Sequence, residues 1–168
     1  PLLKSPSDLV ATVAGAYADD ALYLMAKVED DELDEGYADE IRTGDAIGFY
    51  FSNDPYTWQE GVNRVLIRPA VDDRPQDMNV KGWESDALEM VSVATKSGGW
   101  GYNLEMSIPI EVLEKIAPSV KETRSFLIQI AVFDSDATDG SSEKTVATIN
   151  GEPPDLVSAE GYETFVLK

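Results

Sequence analysis

The 168-residue chain contains no cysteine and no histidine. Without cysteine it has no disulfide, no Cys-based zinc site and no thiol nucleophile. Without histidine it lacks the commonest general base and the commonest transition-metal ligand, so a Ser-His-Asp triad is excluded. The sequence also has no phosphate loop, dinucleotide-binding fingerprint or nucleophile elbow. No stretch approaches the roughly 18–20 apolar residues of a membrane-spanning helix. We therefore predict a protein that is not an enzyme.

Basic residues are scarce, because 13 lysines and arginines stand against 32 aspartates and glutamates, giving a formal net charge of −19. Hydrophobic residues make up 43 % of the chain, so it should fold, since disordered proteins combine such charge with far lower hydrophobicity. Nucleic acids and anionic membranes are disfavoured as partners, because both attract surfaces rich in lysine and arginine. A neutral or cationic ligand fits better, although the acidity is also typical of a secreted protein that it simply keeps soluble.

The length predicts one domain over residues 1–168, long enough to bury a core of its own. The chain begins at Pro1, without an initiator methionine or a signal peptide. We therefore expect a mature or excised domain, which came from a secreted, extracellular protein with catalytic or other domains covalently linked to it.

Apolar and polar residues alternate in several short segments, which is the period of a half-buried strand. In segment 21–29, alternate residues from Leu22 to Val28 would share one inward face. The predicted strands are 9–17, 21–29, 45–52, 62–68, 87–95, 100–108, 125–133, 145–150 and 162–167. Residues 69–86 carry no clear period and are predicted to form a long loop.

One helix is predicted, because Pro109 suits a first helical position and Pro118 would end the helix. Strands of this number and length predict an all-β fold. The expected architecture is an antiparallel β-sandwich, of jelly-roll or immunoglobulin-like type, with about 8–10 strands and one short helix near 109–117.

Two tryptophans in polar, loop-like contexts, Trp58 and Trp83, are candidates for stacking on the C–H face of a sugar. Planar polar side chains that could bind sugar hydroxyls are nearby in sequence: Arg42, Asn63 and Arg64. The alternative is that the loop tryptophans cover sheet edges. Trp100, at a strand start after two glycines, is expected to pack in the core or at an edge.

Three carboxylates, Asp134, Asp136 and Asp139, come in one turn after a predicted strand and before Gly140. Hard cations such as Ca²⁺ bind several oxygens at such a spacing, and a structural calcium ion is therefore predicted here. The spacing differs from that of an EF-hand loop. In a chain this acidic, solvated loop carboxylates are the alternative.

The order of these segments resembles that of the family 9 carbohydrate-binding modules. The segments that carry the resemblance are the strand 21–28 with its acidic exit, the Gly44-Asp45 strand to residue 51, the Gly99-Trp100 strand to Pro109, and the strand 126–133 that leads into Asp134 and Asp136. The resemblance implies a β-sandwich that binds carbohydrate, with structural calcium in many members.

Two departures from the family pattern concern its sugar site. Family members often carry a tryptophan just before the Gly-Asp step, where this chain has residues 41–43, and a glutamate where it has Gly48. If the binding mode is kept, other rings must form the platform, and Trp58, Trp83 or Tyr37 are the candidates. The predicted function is non-catalytic binding of an oligosaccharide or polysaccharide.

Two alternatives come from other classes of protein. The same superfamily includes haem-binding subunits that are similar in fold and hold b-type haem between a methionine and a lysine, for which Met78 and Lys144 are counterparts. The polar, acidic context of Met78 argues against haem, which needs an apolar pocket. The second alternative is a spacer or docking domain with no small ligand.

Overall fold

The structure is a computed structural model, and it describes residues 9–18, 20–31, 33, 44–52, 63–72, 75–136, 143–148 and 163–167. These residues form ten strands and three short helices. The strands are β1 (Leu9–Tyr17), β2 (Ala21–Asp30), β3 (Ala46–Ser52), β4 (Asn63–Arg68), β5 (Asp77–Lys81), β6 (Ser92–Gly98), β7 (Gly101–Pro109), β8 (Ser125–Asp136), β9 (Glu143–Thr148) and β10 (Glu163–Val166). The helices are α1 (Ser85–Glu89), α2 (Ile110–Ile116) and α3 (Ser119–Thr123).

The strands make two sheets, and every pairing is antiparallel. The four-stranded sheet has the order β1-β2-β7-β6. The six-stranded sheet has the order β10-β8-β3-β4-β5, and β9 also pairs with β8. The long strand β8 pairs with β10 through residues 125–128 and with β9 through residues 131–136. The predicted all-β sandwich is thereby confirmed.

The core lies between the two sheets and follows the predicted alternation. On β2 the four residues expected on the inward face are all buried: Leu22, Leu24, Ala26 and Val28. On β3 the inward residues Ile47, Phe49 and Phe51 have no measurable exposure. Their burial removes large apolar areas from water, which is the main favourable contribution to folding.

The predicted loop over residues 69–86 is partly wrong, because it contains strand β5 and the start of α1. On β5 the half-buried Met78 and Val80 alternate with exposed polar residues. A five-residue edge strand of this kind shows only two apolar residues of its period, so the flanking aspartates and prolines dominate the pattern.

The prediction of a strand from residue 87 is wrong at its start, because residues 85–89 form α1 and β6 begins only at Ser92. The predicted helix near 109–117 is confirmed as α2, and a further helix, α3, follows Pro118. Both missed helices have five residues, too few for a helical period to be visible in sequence. None of the described helices has the length and apolarity needed to cross a membrane.

Candidate functional site

Four polar residues line up across the outer face of the six-stranded sheet. The register sets Tyr50 opposite Gln129 on β8 and opposite Arg64 on β4, and sets Arg64 opposite Lys81 on β5. Residues directly opposite each other in antiparallel strands project from the same face. Gln129 and Tyr50 are buried, Arg64 is half-buried and Lys81 is exposed. The row is therefore open to solvent at its Arg64–Lys81 end.

Arg64 is half-buried as a residue, but two of its guanidinium donors are buried. Its Nε and Nη1 atoms are buried, and neither has a hydrogen-bond partner among the described residues. A guanidinium presents its N–H groups as a planar fork with no acceptor, so it needs oxygen atoms from elsewhere. Adjacent hydroxyls of a bound molecule, or a carboxylate, are groups that such a fork can bind.

Gly48 lies on the same outer face and is covered by its neighbours. A Cβ atom at this position would lie 2.8 Å from Cε2 of Tyr50 and 2.7 Å from Cδ2 of Leu66. The Tyr50 ring therefore occupies the space into which a side chain at position 48 would project. This packing explains why the glutamate expected from the family pattern cannot be accommodated here.

Arg68 lies further along β4 on this face. Its side chain is 2 % exposed, and its Nη2 atom lies 3.4 Å from Oδ2 of Asp77, which is opposite Arg68 in the register. Asp77 itself is mostly exposed. The buried cation is thus paired across β4 and β5, at the end of β5 that lies away from Lys81.

Two further residues of the predicted sugar site are described, and both contact the interior. Trp83 is half-buried and packs edge-on against Phe51, with ring centroids 6.1 Å apart. Asn63 donates a hydrogen bond from Nδ2 to the carbonyl oxygen of Ile116, at 2.6 Å, which joins β4 to α2. Of the predicted set, the structure therefore brings Arg64 to the outer face, whereas Trp83 packs against the core and Asn63 binds a helix end. Trp58, Arg42 and Tyr37 lie outside the described residues.

Trp100 is expected in the core or at an edge, and its 43 % exposure excludes the core. Its ring nitrogen lies near Gly98 on the edge strand β6, which agrees with the edge alternative. The ring lies in the turn between β6 and β7, with Nζ of Lys27 at 5.4 Å from its centroid. Its position on the turn that joins β6 to β7 places it at the end of the outer face of this sheet, away from the core.

Three buried carboxylates converge at one end of the sandwich. Asp30 ends β2, Asp45 comes just before β3, and Asp134 lies on β8, and one oxygen of each lies within 4.8 Å of the others. All three are buried. The antiparallel pairing of Ala46 with Phe133 brings Asp45 beside Asp134, and Oδ1 of Asp45 accepts a hydrogen bond from the Ser135 amide at 3.0 Å.

This cluster differs from the predicted metal site. Asp134 was among the predicted ligands, but its two neighbours come from distant segments. The side chain of Asp136 and the whole of Asp139 lie outside the described residues. Asp30 and Asp45 were missed as partners, and the available signal was that each stands at a strand end.

A tyrosine hydroxyl lies close to the three carboxylates. Burial, followed by the negative charges of Asp45, Asp30 and Asp134, raises the pKa of Tyr102 well above its usual value. The hydroxyl is buried and has no hydrogen-bond partner among the described residues. Tyr102 therefore stays protonated and keeps one O–H donor available at this end of the core.

The donor chemistry of the cluster suits a hard cation. Carboxylate oxygens are the ligands that Ca²⁺ binds, at about 2.3–2.6 Å, and oxygens bound to one such ion lie within about 5 Å of each other. Three buried carboxylates without a cation would repel each other at low dielectric. Asp30 also lines an open cleft of about 320 Å³ with Asp31, Asp72 and Ser97, so the cluster has a route to solvent.

Of the two residues considered for haem ligation, only Met78 has a described side chain. Met78 lies on β5 and packs against the hydrophobic core, which is the ordinary packing role of a thioether side chain. Lys144 lies on β9, and its side chain is outside the described residues.

The sequence matches the profile of the family described as "Carbohydrate family 9 binding domain-like" over residues 2–155. No curated protein matches the chain. Its fold is similar to a family 9 carbohydrate-binding module from Caldicellulosiruptor kristjanssonii in complex with cellotriose, with a TM-score of 0.68, 15 % identity, and coverage of 100 % of this chain and 80 % of that chain.

The glucose complex of a family 9 module from the same organism gives a TM-score of 0.67 at 15 % identity, covering 98 % of this chain and 80 % of that one. A protein from Bacteroides uniformis, provisionally described as carbohydrate-binding, gives a TM-score of 0.58 at 11 % identity. The match covers 97 % of this chain and 80 % of that one. At these identities the likeness establishes the fold.

Proposed function

Because this chain belongs to the carbohydrate family 9 binding domain-like family, a non-catalytic carbohydrate-binding family, we propose that it binds an oligosaccharide or polysaccharide at the Arg64–Lys81 end of the outer polar row. The half-buried guanidinium of Arg64 carries this proposal, because its Nε and Nη1 donors find no acceptor among the described residues. Adjacent sugar hydroxyls that reach these buried donors from the open end of the row would supply the acceptors.

Tyr50 and Gln129 support this arrangement from the buried side of the row. Tyr50 lies opposite both Arg64 and Gln129 in the register, and its ring fills the space above Gly48. Tyr50 is thus the aromatic neighbour of Arg64 on the adjacent strand. Trp58, Arg42 and Tyr37 remain the candidates for further sugar contacts, with Trp58 as a stacking ring.

We also propose that Asp30, Asp45 and Asp134 hold a structural calcium ion. The ion would supply positive charge that offsets the repulsion among the three buried carboxylates. Its site lies between the ends of β2, β3 and β8, so binding would link the two sheets. The calcium ion would contribute to the stability of the fold. Sugar binding itself would use the outer face of the six-stranded sheet.

The cellular setting follows from the same proposal. We expect a secreted domain joined to a glycoside hydrolase or a related protein, which would raise the local concentration of that enzyme on its polysaccharide. The strong net negative charge of the chain would keep such a domain soluble outside the cell.

The test is calorimetric titration of the protein with cellotriose and with a panel of other soluble oligosaccharides. We expect Arg64→Ala to weaken sugar binding about ten-fold or more, because charge-assisted hydrogen bonds contribute about 1.5–3 kcal/mol. Lys121→Ala, an exposed cation on α3, is the control with the same change in charge. Equal affinity of wild type and Arg64→Ala would reject the proposed site.

A further inference from the structure

The outer face of the four-stranded sheet carries a line of exposed side chains along β2. Tyr23, Met25 and Lys27 alternate on this face, and Trp100 lies at its end. Their exposed fractions are large for such residues, at 40 % for Tyr23, 54 % for Met25 and 43 % for Trp100. Exposed apolar groups clustered on one face, rather than scattered singly, indicate a surface that meets a ligand or partner.

The indole ring of Trp100 lies beside this face. Lys27 places Nζ 5.4 Å from the ring centroid, and the ring nitrogen would lie 3.1 Å from a Cβ atom at Gly98. Gly98 thus lets the indole fold back beside the sheet, since a side chain there would press on it. The indole is an exposed aromatic plane beside the sheet.

Two shallow grooves flank the line, each of about 330 Å³. One lies between Tyr23 and Ser92, and the other between Thr12 and Asn103, and both are bordered by Met25 and Glu105. Two small residues, Ala14 and Ala94, form part of their floor. An apolar floor with hydroxyl, amide and carboxylate groups at its borders is the usual composition of a small-molecule site.

The charge of this face differs from that of the chain as a whole. The charged residues that the register places on it are two lysines, Lys27 and Lys96, and two glutamates, Glu29 and Glu105. The net charge of these four residues is zero, whereas the formal net charge of the whole chain is −19. A second copy of the chain would also carry a net charge of −19, so the two copies as a whole would repel each other. A neutral ligand meets no such barrier.

We propose that this face is a second glycan-binding surface, which takes a neutral polysaccharide chain lying along β2. Tyr23 and Lys27 are four residues apart, roughly 14 Å along the strand, and Trp100 extends the line further. Aromatic rings at the two ends would stack on sugar C–H faces. The polar groups along the grooves would bind hydroxyls. The inference rests on the proposed carbohydrate function, but uses the sheet opposite to that of Arg64.

The test uses soluble hexasaccharides from cellulose, xylan and mannan, with calorimetry for stoichiometry and depletion isotherms on the matching insoluble polysaccharides. The variants are Tyr23→Ala/Trp100→Ala for this face, Arg64→Ala for the other sheet, and Lys121→Ala as control. Wild type should bind at two sites on each chain. Tyr23→Ala/Trp100→Ala should lose one of them and about half its capacity on the insoluble glycan, with an unchanged melting temperature.

Identical isotherms of wild type and Tyr23→Ala/Trp100→Ala would overturn this inference while leaving the Arg64 site intact. If Arg64→Ala alone abolished all glycan binding, the chain would have no second site, and this inference would also be overturned. If wild type bound none of these glycans, the proposed function would fail together with the second surface. A dimer in size-exclusion chromatography that Tyr23→Ala/Trp100→Ala converts to a monomer would assign the face to self-association and would also overturn the inference.

Discussion

At the scale of single residues, the buried carboxylates have the largest electrostatic consequence. Asp45 lies 1 % exposed beside Asp30 and Asp134, and like charges this close repel each other strongly in a low-dielectric setting. The side chain also accepts the Ser135 amide hydrogen bond, an interaction that an asparagine oxygen could retain. The charge of Asp45 can therefore be removed with little change in shape.

Asp45→Asn should change stability in opposite directions with and without calcium. In calcium the variant loses a charged ligand, and we expect a lower melting temperature than that of wild type. In a chelator the variant has less carboxylate repulsion, and we expect it to melt at or above the wild-type temperature. Thermal unfolding of both proteins in both buffers measures this, with the exposed Asp86→Asn as control. The same shift in both buffers would rule out a cation at the cluster.

Because the pKa of Tyr102 is raised in the folded protein, we expect the free energy of unfolding to fall at alkaline pH. Its folded-state pKa is raised, by burial first and by the three carboxylates next, whereas in the unfolded chain it ionises near pH 10. The stability that depends on the neutral phenol is therefore complete below about pH 10 and falls as the pH rises above it, by up to about 1.4 kcal/mol per pH unit.

Urea unfolding between pH 8 and pH 11 tests this expectation. Tyr102→Phe should show a flatter dependence on pH than wild type, because it removes the ionisable group from the buried site. Tyr23→Phe, at an exposed position, should keep the wild-type slope. Equal slopes in all three proteins would show that other groups cause the alkaline loss.

At the scale of elements, β3 is the strand on which both faces of the six-stranded sheet depend. It pairs with β4 on one side and β8 on the other, and its residues 46–51 are buried on both faces. Its inner face is built from Phe49 and its neighbours, and its outer face from Gly48 and Tyr50. A strand enclosed in this way tolerates little change in side-chain volume.

Gly48→Ala should therefore destabilise the protein by about 1–3 kcal/mol, since the added methyl group would meet both Tyr50 and Leu66. Chemical denaturation measures the difference. Gly99→Ala is the matched control, because no atom lies within 4 Å of a Cβ at that position. A stability loss as small as that of Gly99→Ala would mean that the Tyr50 ring and the Leu66 side chain move aside without cost, and the expectation would be wrong.

At the scale of the whole molecule, the net charge of −19 opposes compaction, because like charges lie closer in the folded than in the unfolded chain. The described ion pairs Lys27–Glu29 and Lys115–Asp86 are exposed, and pairs of this kind contribute little. Repulsion is therefore the larger electrostatic effect on folding.

Added sodium chloride should raise the melting temperature in a chelating buffer, because salt screens this repulsion over about 8–10 Å at moderate ionic strength. Differential scanning calorimetry between low and moderate salt measures the effect. Sodium sulfate compared at equal ionic strength separates screening from the additional stabilisation by excluded ions. A melting temperature that is constant or falls with sodium chloride would contradict the expectation.

The candidate sites were predictable only in part. Arg64 was found because planar polar residues near loop tryptophans suggest sugar binding, and Asp134 because aspartates follow a strand there. The sequence did not indicate that Tyr50 and Gln129 lie beside Arg64, because a polar residue on a strand does not show which residue lies opposite it on the next strand. The sequence leaves open whether Trp100 packs in the core or at an edge, because that depends on where the turn directs the ring.

The sequence by itself determined the class of fold, since the alternation on β2 and β3 is local information that each segment carries alone. It also determined the acidity and the chemistries that missing cysteine and histidine exclude. Only the tertiary structure decided that residues 30, 45 and 134 share one site, and that one sheet face is neutral while the chain is strongly acidic. Both depend on strand order and register, which join residues far apart in sequence and leave no local pattern.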